Sequence, residues 1–236
     1  MNIVDIIILG IIGIGVLFGL YKGFVNSVFG LLGVFLALII GYIAYPQLAQ
    51  ALQDNEGLVR NLIHYSDASS RIQDLELSQT PVAGISQQAL DEIMARANLP
   101  QPFDDFVRVN VLEQVFAPLG SVNVSDYLNQ TLIAVTLNIL CFLACFGVAY
   151  AAVMLLVHLL GYVFRMPVLK HFDLLLGGLL GGLRGVLLVF VLFAIVPILL
   201  TVSPIEQVSA AIDESRFAST FYRTNLIQSI MQGTLF

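Results

Sequence analysis

The chain has 236 residues, of which 58% are hydrophobic and 11% charged, with a formal net charge of −6. A soluble domain carries about 25% charged residues, so these totals exclude an ordinary soluble fold and indicate a membrane protein. No basic patch or basic–aromatic run is present, which excludes nucleic-acid binding; with Trp absent, any interfacial aromatic belt must use Tyr and Phe.

The first apolar run covers Ile3 to Tyr21. No Lys or Arg precedes it, Asp5 stands there instead, and no A-x-A pattern follows. It is therefore expected to be a retained helix rather than a signal peptide. Asp5 suits the positive end of the helix dipole; ion or proton handling is the other reading. Gly15, Gly19 and Gly23 recur four apart and form a small-residue face. Lys22 is the only charge between Asp5 and Asp54, and Gly23 beside it permits a turn. A second run, Phe24 to Tyr45, ends at Pro46. The two are predicted to form a hairpin. One helix over both would be roughly 60 Å long, about twice the hydrocarbon thickness.

Residues 46–130 differ in character. They hold most of the acids and no apolar run long enough to span. Leu58, Val59, Leu62 and Ile63 recur at helical spacing. Ser86 is expected to N-cap a helix running to Asn98 and stopped by Pro100. Phe103 to Val115 suggests a further, less regular helix. The stretch is predicted to be a small acidic helical lobe with a modest core.

The third run, Leu132 to Phe164, exceeds one bilayer crossing and must tilt or project. Ser125 is expected to cap it. Ala144, Gly147, Ala151 and Ala152 offer small packing positions, and Asn138 and His158 are its polar exceptions, read as interhelical or interfacial hydrogen-bonding groups. Cys141 and Cys145 share a face, but two thiols alone make a poor metal site, so they are read as packing residues. A basic connector, Arg165 to Asp173, leads into Asp173 to Leu200, an apolar run rich in glycine. Asp173 is expected to N-cap it. Gly177, Gly181 and Gly185 lie four apart on one face, with Gly178 and Gly182 beside them, which favours close helix approach in lipid. Arg184 is the one charge inside. It is either a pore or ligand charge within the bundle, or an anchor snorkelling to the headgroups with Asp173 or lipid phosphate as partner. Beyond Leu200, Ser203-Pro204-Ile205-Glu206 is a capping box. Further on, Phe217, Phe221, Leu226, Ile227, Ile230 and Met231 suggest an amphipathic helix on the bilayer or on the lobe.

The expected architecture is all-α and membrane-embedded, with four transmembrane helices in two hairpins. Its parts are residues 1–45 (first hairpin), 46–130 (extracytoplasmic lobe), 131–200 (second hairpin) and 201–236 (amphipathic tail). Lys22, Arg165 and Lys170 fall in the short connectors. The positive-inside rule therefore puts the connectors in the cytoplasm and both termini outside.

Asp5 followed by an apolar run, Lys22-Gly23-Phe24 and a second apolar run resembles the colicin V production protein family. So does Asp173-Leu174-Leu175-Leu176-Gly177, continuing through Leu183-Arg184-Gly185-Val186-Leu187. The resemblance covers the four spans. Lys22 stands where the family usually has Arg, and the long acidic lobe departs from compact members. The resemblance implies a bacterial inner-membrane protein linked to production or export of a peptide toxin and to envelope maintenance.

No H-E-x-x-H, P-loop, dinucleotide-binding or G-x-S-x-G pattern occurs. Asp5 and Asp173 are expected at opposite membrane faces, so they do not form a catalytic carboxylate pair. The chain is read as a non-enzymatic membrane protein without cofactor or metal. It is expected to partner the bilayer and an envelope protein or a second copy of itself. A small oligomeric channel with glycine-lined helices is the alternative.

Overall fold

The computed structural model describes residues 2–55, 57, 72, 74–100, 103–117, 120–161, 170–202 and 206–225. In chain order its helices are α1 (Ile3–Gln53), α2 (Leu75–Ser78), α3 (Gln87–Ala97), α4 (Phe103–Leu112), α5 (Val124–Gly161), α6 (Lys170–Phe193), α7 (Val196–Val202), α8 (Glu206–Asp213) and α9 (Ala218–Arg223). Among the described residues the only β feature is an isolated antiparallel bridge between Pro81 and Asn123. Ile3–Gln53, Val124–Leu159 and Asp173–Leu200 are long and apolar enough to cross a membrane. Helices suit such segments because they satisfy every backbone polar group internally. Their large apolar side chains at Leu17, Ile43, Val148, Leu155 and Leu179 remain exposed, which is the surface that lipid covers.

Helix α1 is not one rod. Gly23 inside it has φ 79° and ψ 176°, a combination that side-chain-bearing residues essentially do not adopt. It separates a first arm, residues 3–22, from a second arm, residues 24–53. The chain doubles back at this point. Gly15 on the first arm lies against Gly181, and Gly30 on the second lies against Arg184, so positions on either side of Gly23 reach the same stretch of α6.

The chain divides into two compact units. The first comprises Met1–Leu48, Leu140–Ile195 and Glu206–Ile227. Within it the first arm runs antiparallel to α6, and the second arm runs antiparallel to the later part of α5. Gly33 meets Val153 and Met154, while Gly41 meets the backbone of Phe146. An aromatic row follows the same face of α5. Tyr45 meets Phe142 edge-on at 6.2 Å, Phe142 stacks on Phe146 at 6.3 Å, and Phe146 stacks on Tyr150 at 5.6 Å. The row recurs every four residues, the spacing that keeps side chains on one helix face. Helix α9 packs on the end of α6: the Phe221 ring lies 4.8 Å from Phe190, and Asn225 Nδ2 donates to the Phe190 carbonyl at 3.0 Å.

The second unit comprises Ala49–Ile139, Val196–Ile205 and Gln228–Phe236. Ser86 caps α3 by accepting from the Ala89 N–H at 3.2 Å, and the helix ends on Asn98 in the left-handed region. The apolar faces of α3 and α4 are buried through Leu90, Ile93, Met94, Phe103, Val107 and Val111. Arg96 joins Glu92 at 2.9 Å to Asp74 at 3.2 Å, linking α3 to the cap of α2. Arg108 bonds Asp104 at 2.7 Å and also pairs with Asp91, linking α4 to α3. These carboxylates raise the Arg108 pKa above its ordinary value, the hydrogen bond it donates to Asp104 most of all. Buried Asn110 donates to Thr131 Oγ1 on α5 at 3.0 Å.

Several boundaries differ from the sequence expectation. Helix α1 continues through Pro46 to Gln53. Helix α5 starts at Val124 and is unbroken across residue 130, so Ser125 lies inside its first turn rather than ahead of it. Helix α6 starts at Lys170, which places Asp173 within the first turn. The run to Leu200 is broken at Ala194 and Ile195. Pro197 explains the break, because a proline ring clashes with the carbonyl four residues earlier, here Phe193, the last residue of α6. Ala144, Gly147, Ala151 and Ala152 are exposed instead of forming a packing face. In the tail, α8 and α9 are separated by a bend, and their described residues belong to the first unit. The expected features at Leu58, Val59, Leu62, Ile63, Arg165, Ser203-Pro204-Ile205, Leu226, Ile227, Ile230 and Met231 lie outside the described residues.

Candidate functional site

The sequence-predicted residues of the first unit meet in two places, a glycine seam and a cavity beside it. In the seam the two glycine faces face each other. A Cβ added at Gly177 would fall 3.1 Å from the Gly23 Cα, one at Gly181 would fall 2.9 Å from the Gly19 Cα, and one at Gly15 would fall 3.4 Å from the Gly185 Cα. A Cβ added at Gly185 would fall 2.9 Å from the Ile12 Cα. The four-residue repeat puts glycine on one stripe of each helix, and the antiparallel run brings stripe against stripe. Backbones then approach at a distance no side chain permits. Gly178 and Gly182 take the side chains of Leu20 and Val16 rather than backbone.

Acidic residues tie both ends of the first arm. Asp173 does not cap its own helix. Its Oδ1 accepts from the Phe24 N–H at 2.7 Å, the first free donor of the second arm. A carboxylate thus sits at the positive end of that arm, fixing the turn at Gly23. At the other end Asp5 is 2% exposed. It accepts from Asn2 N at 3.0 Å, Ser215 Oγ at 2.5 Å and Phe217 N at 3.3 Å. Ser215 Oγ in turn accepts from Ala218 N at 2.9 Å, and Asn2 Nδ2 donates to the Ala211 carbonyl at 2.9 Å. Asp5 therefore holds the segment between α8 and α9 against the start of α1. Asp5 and Asp173 are at opposite ends of the first arm.

Arg184 lies beside the seam. Because its neighbour Gly185 meets Ile12, Arg184 is level with the middle of residues 3–22, an arm roughly 30 Å long. Its Nη2 donates to Tyr150 Oη and to Met154 Sδ at 3.6 Å, and its guanidinium lies over the Tyr150 ring, 5.6 Å from the centroid. Its Nη1 faces Gly30. Asp173 is engaged elsewhere, and among the described residues no carboxylate pairs with Arg184. A cavity of about 400 Å³ opens between the two arms of α1 and α6. Arg184, Lys22, Asn26 and Ser27 line it together with apolar Ile14, Phe18 and Leu188. Lys22 Nζ sits 5.7 Å from the Phe18 ring centroid. No group of three His, Cys, Asp or Glu residues able to hold a metal ion occurs among the described residues; Cys141 and Cys145 are free thiols.

Sequence reasoning missed Gly30, Gly33 and Gly41. Gly33 and Gly41 are eight apart, two helical turns, which is a readable packing signal. It also missed Tyr150, Met154, Ser27 and Ser215, whose contacts link residues distant in sequence and leave no local pattern.

Long apolar helices, outward-facing leucines and a backbone-close glycine seam define a multi-pass membrane protein. Within that class, the chain belongs to the colicin V production protein family, whose profile matches residues 4–75 and 114–225, most of the chain. Both glycine stripes, Asp5, Lys22, Asp173 and Arg184 fall inside the matched stretches. The unmatched stretch, 76–113, contains α3 and α4. No curated protein and no solved structure matches the chain.

Proposed function

We propose that the chain is a non-enzymatic, four-span inner-membrane scaffold that supports peptide-toxin production or export, or envelope maintenance, by presenting a partner-binding surface. Family membership supports the process. The observation that carries the scaffold reading is the glycine seam, whose two faces are consumed against each other inside one chain. Glycines packed backbone to backbone hold this chain's own helices together, and where Gly15, Gly19, Gly181 and Gly185 border a cavity it lies within one chain, which weighs against the channel alternative.

The turn at Gly23 supports counting α1 as two spans, and the Asp5–Ser215 tie supports both chain ends lying on one side. With Lys22 at the opposite end, the positive-inside rule then favours an extracytoplasmic lobe and termini. The lobe's α3 and α4, outside the family match, are the surface we assign to a partner particular to this protein. The test is photo-crosslinking in native membranes from exposed positions of α3, such as Glu92, paired with solute-leak assays in reconstituted vesicles. A discrete crosslinked envelope protein and tight vesicles are expected. A solute leak from vesicles carrying the wild-type protein, with no crosslink, overturns the scaffold in favour of a channel.

A further inference from the structure

We propose that the cavity between the two arms of α1 and α6 is a binding site for a phosphate group, entered from the Gly23 end and held between Lys22 and the deeper Arg184.

The charge comes first. A guanidinium level with the middle of a membrane-spanning arm is costly to hold there unless it is compensated. It has five N–H donors. Tyr150 and Met154 take bonds from Nη2, both are neutral, and no carboxylate among the described residues balances the charge. An anion in the adjoining cavity would balance it.

The geometry brings a second cation to the same space. Helical side chains lean toward the N-terminus of their own helix. The first arm and α6 are antiparallel, so Lys22 and Arg184 lean toward each other from different levels of the cavity. The contacts agree: Lys22 lies over Phe18, one turn back along its arm, and the Arg184 Nη1 reaches Gly30 of the second arm. Ser27, 7% exposed, adds a buried hydroxyl to the lining, and Asn26 adds an amide, one N–H of which is held by the Lys22 carbonyl at 2.9 Å. Asp173, the carboxylate nearest the mouth, does not line the cavity and is held by Phe24 N.

Two cations, a hydroxyl and an amide on an otherwise apolar wall match a tetrahedral oxyanion, which takes several charge-assisted bonds at once. A cavity of about 400 Å³ lies within the range of small-ligand sites. The same chemistry is offered by the phosphomonoester head of a lipid, whose chains would follow Ile14, Phe18 and Leu188, and by free inorganic phosphate.

The full chain in detergent micelles is titrated with phosphatidic acid, with phosphatidylcholine and, separately, with inorganic phosphate. Binding is read by native mass spectrometry and by the thermal midpoint. Preference for phosphatidic acid, weakened about tenfold in Arg184→Gln and a few-fold in Lys22→Gln, with recovery in Arg184→Lys and no response to inorganic phosphate, establishes the site with a lipid source. Stabilisation by inorganic phosphate with the same Arg184 and Lys22 dependence establishes it with a free-anion source. Equal binding by wild type and both variants, or no preference for phosphatidic acid over phosphatidylcholine without any phosphate response, overturns it. Lys22 is half-exposed beside the turn, so Lys22→Gln decides the matter alone if Arg184→Gln fails to fold.

Discussion

The carboxylate of Asp173 accepts a 2.7 Å hydrogen bond from the backbone N–H of Phe24, 149 positions earlier in the chain. One side chain on α6 thereby caps a helix arm formed at the other end of the sequence and holds the turn at Gly23. Asp173→Ala leaves that N–H without its acceptor and removes a charge from the positive end of the arm. Loss of a cap costs about 1 kcal/mol. The thermal midpoint of the purified protein is expected to fall in Asp173→Ala and to recover partly in Asp173→Asn, which keeps an acceptor oxygen. Equal midpoints for all three proteins would refute the capping role.

The seam makes a contrast between glycines that look alike in sequence. Gly19 and Gly181 are closed in by backbone, whereas Gly10 and Gly13 have open space where a Cβ would stand. Gly181→Leu forces two backbones apart, and overpacking of this kind costs about 1–3 kcal/mol or more. It is expected to cut the folded yield sharply. Gly10→Leu, whose side chain points into open space, is expected to leave yield unchanged. Fluorescence-detected size exclusion from membranes reads both, and equal losses at the two positions would show that the seam is not selective.

How much of this was legible beforehand follows from what each feature depends on. The glycine stripes repeat every four residues, so each face was readable from its own helix. Lys22-Gly23 marked the turn because a charge and a flexible residue interrupt an apolar run. Ser86 and Asn98 carry local capping chemistry and bracket α3 as read. Asp173 was seen as a cap but assigned to the wrong helix, because only the fold brings Phe24 beside it. Pro46 misled in the opposite sense: a proline usually ends a helix, yet α1 runs through it. Pro197 was passed over although its ring breaks the chain after Phe193. The level of Arg184 depends on the register between α6 and the first arm, which sequence spacing on one helix does not reveal.

Asp5 and Ser215 bind the start of α1 to the segment joining α8 and α9. Ser215→Ala leaves the 2%-exposed Asp5 carboxylate without its closest partner and removes the acceptor for Ala218 N. A buried acceptor that loses its partner costs about 1–3 kcal/mol. Hydrogen exchange of residues 206–225 is expected to accelerate in Ser215→Ala while exchange in 24–45 stays as in wild type. Unchanged exchange in the tail would mean that Asp5 does not hold it.

Tyr222 on α9 gives the fold an alkaline limit. Burial, with a smaller contribution from Asp213, pushes its pKa up from 10 to about 12. The unfolded chain therefore loses this proton first as pH rises. Its stabilising contribution is complete below pH 10 and is lost between about pH 10 and 12. Tyr222→Phe cannot ionise, so its thermal midpoint is expected to fall less than the wild-type midpoint across that interval. Parallel curves for the two proteins would exclude Tyr222 as the source.

The remaining prediction concerns sidedness. The Asp5–Ser215 bond requires the start of α1 and residue 215 to share one side, while Lys22 and the Asp173–Phe24 cap sit at the other end of the first arm. The proposed four spans meet both conditions, with the break at Gly23 counted as the turn between two crossings. Single cysteines at Asn2 and Arg223 should therefore react with a membrane-impermeant maleimide from the same side of sealed membranes. A cysteine at Lys22 should react only when the other face is opened. Under the positive-inside rule the first two label from outside in intact spheroplasts. Labelling of Asn2 and Arg223 from opposite sides would overturn the four-span reading, whereas labelling of both from the cytoplasm alone would reverse the orientation and leave the hairpins intact.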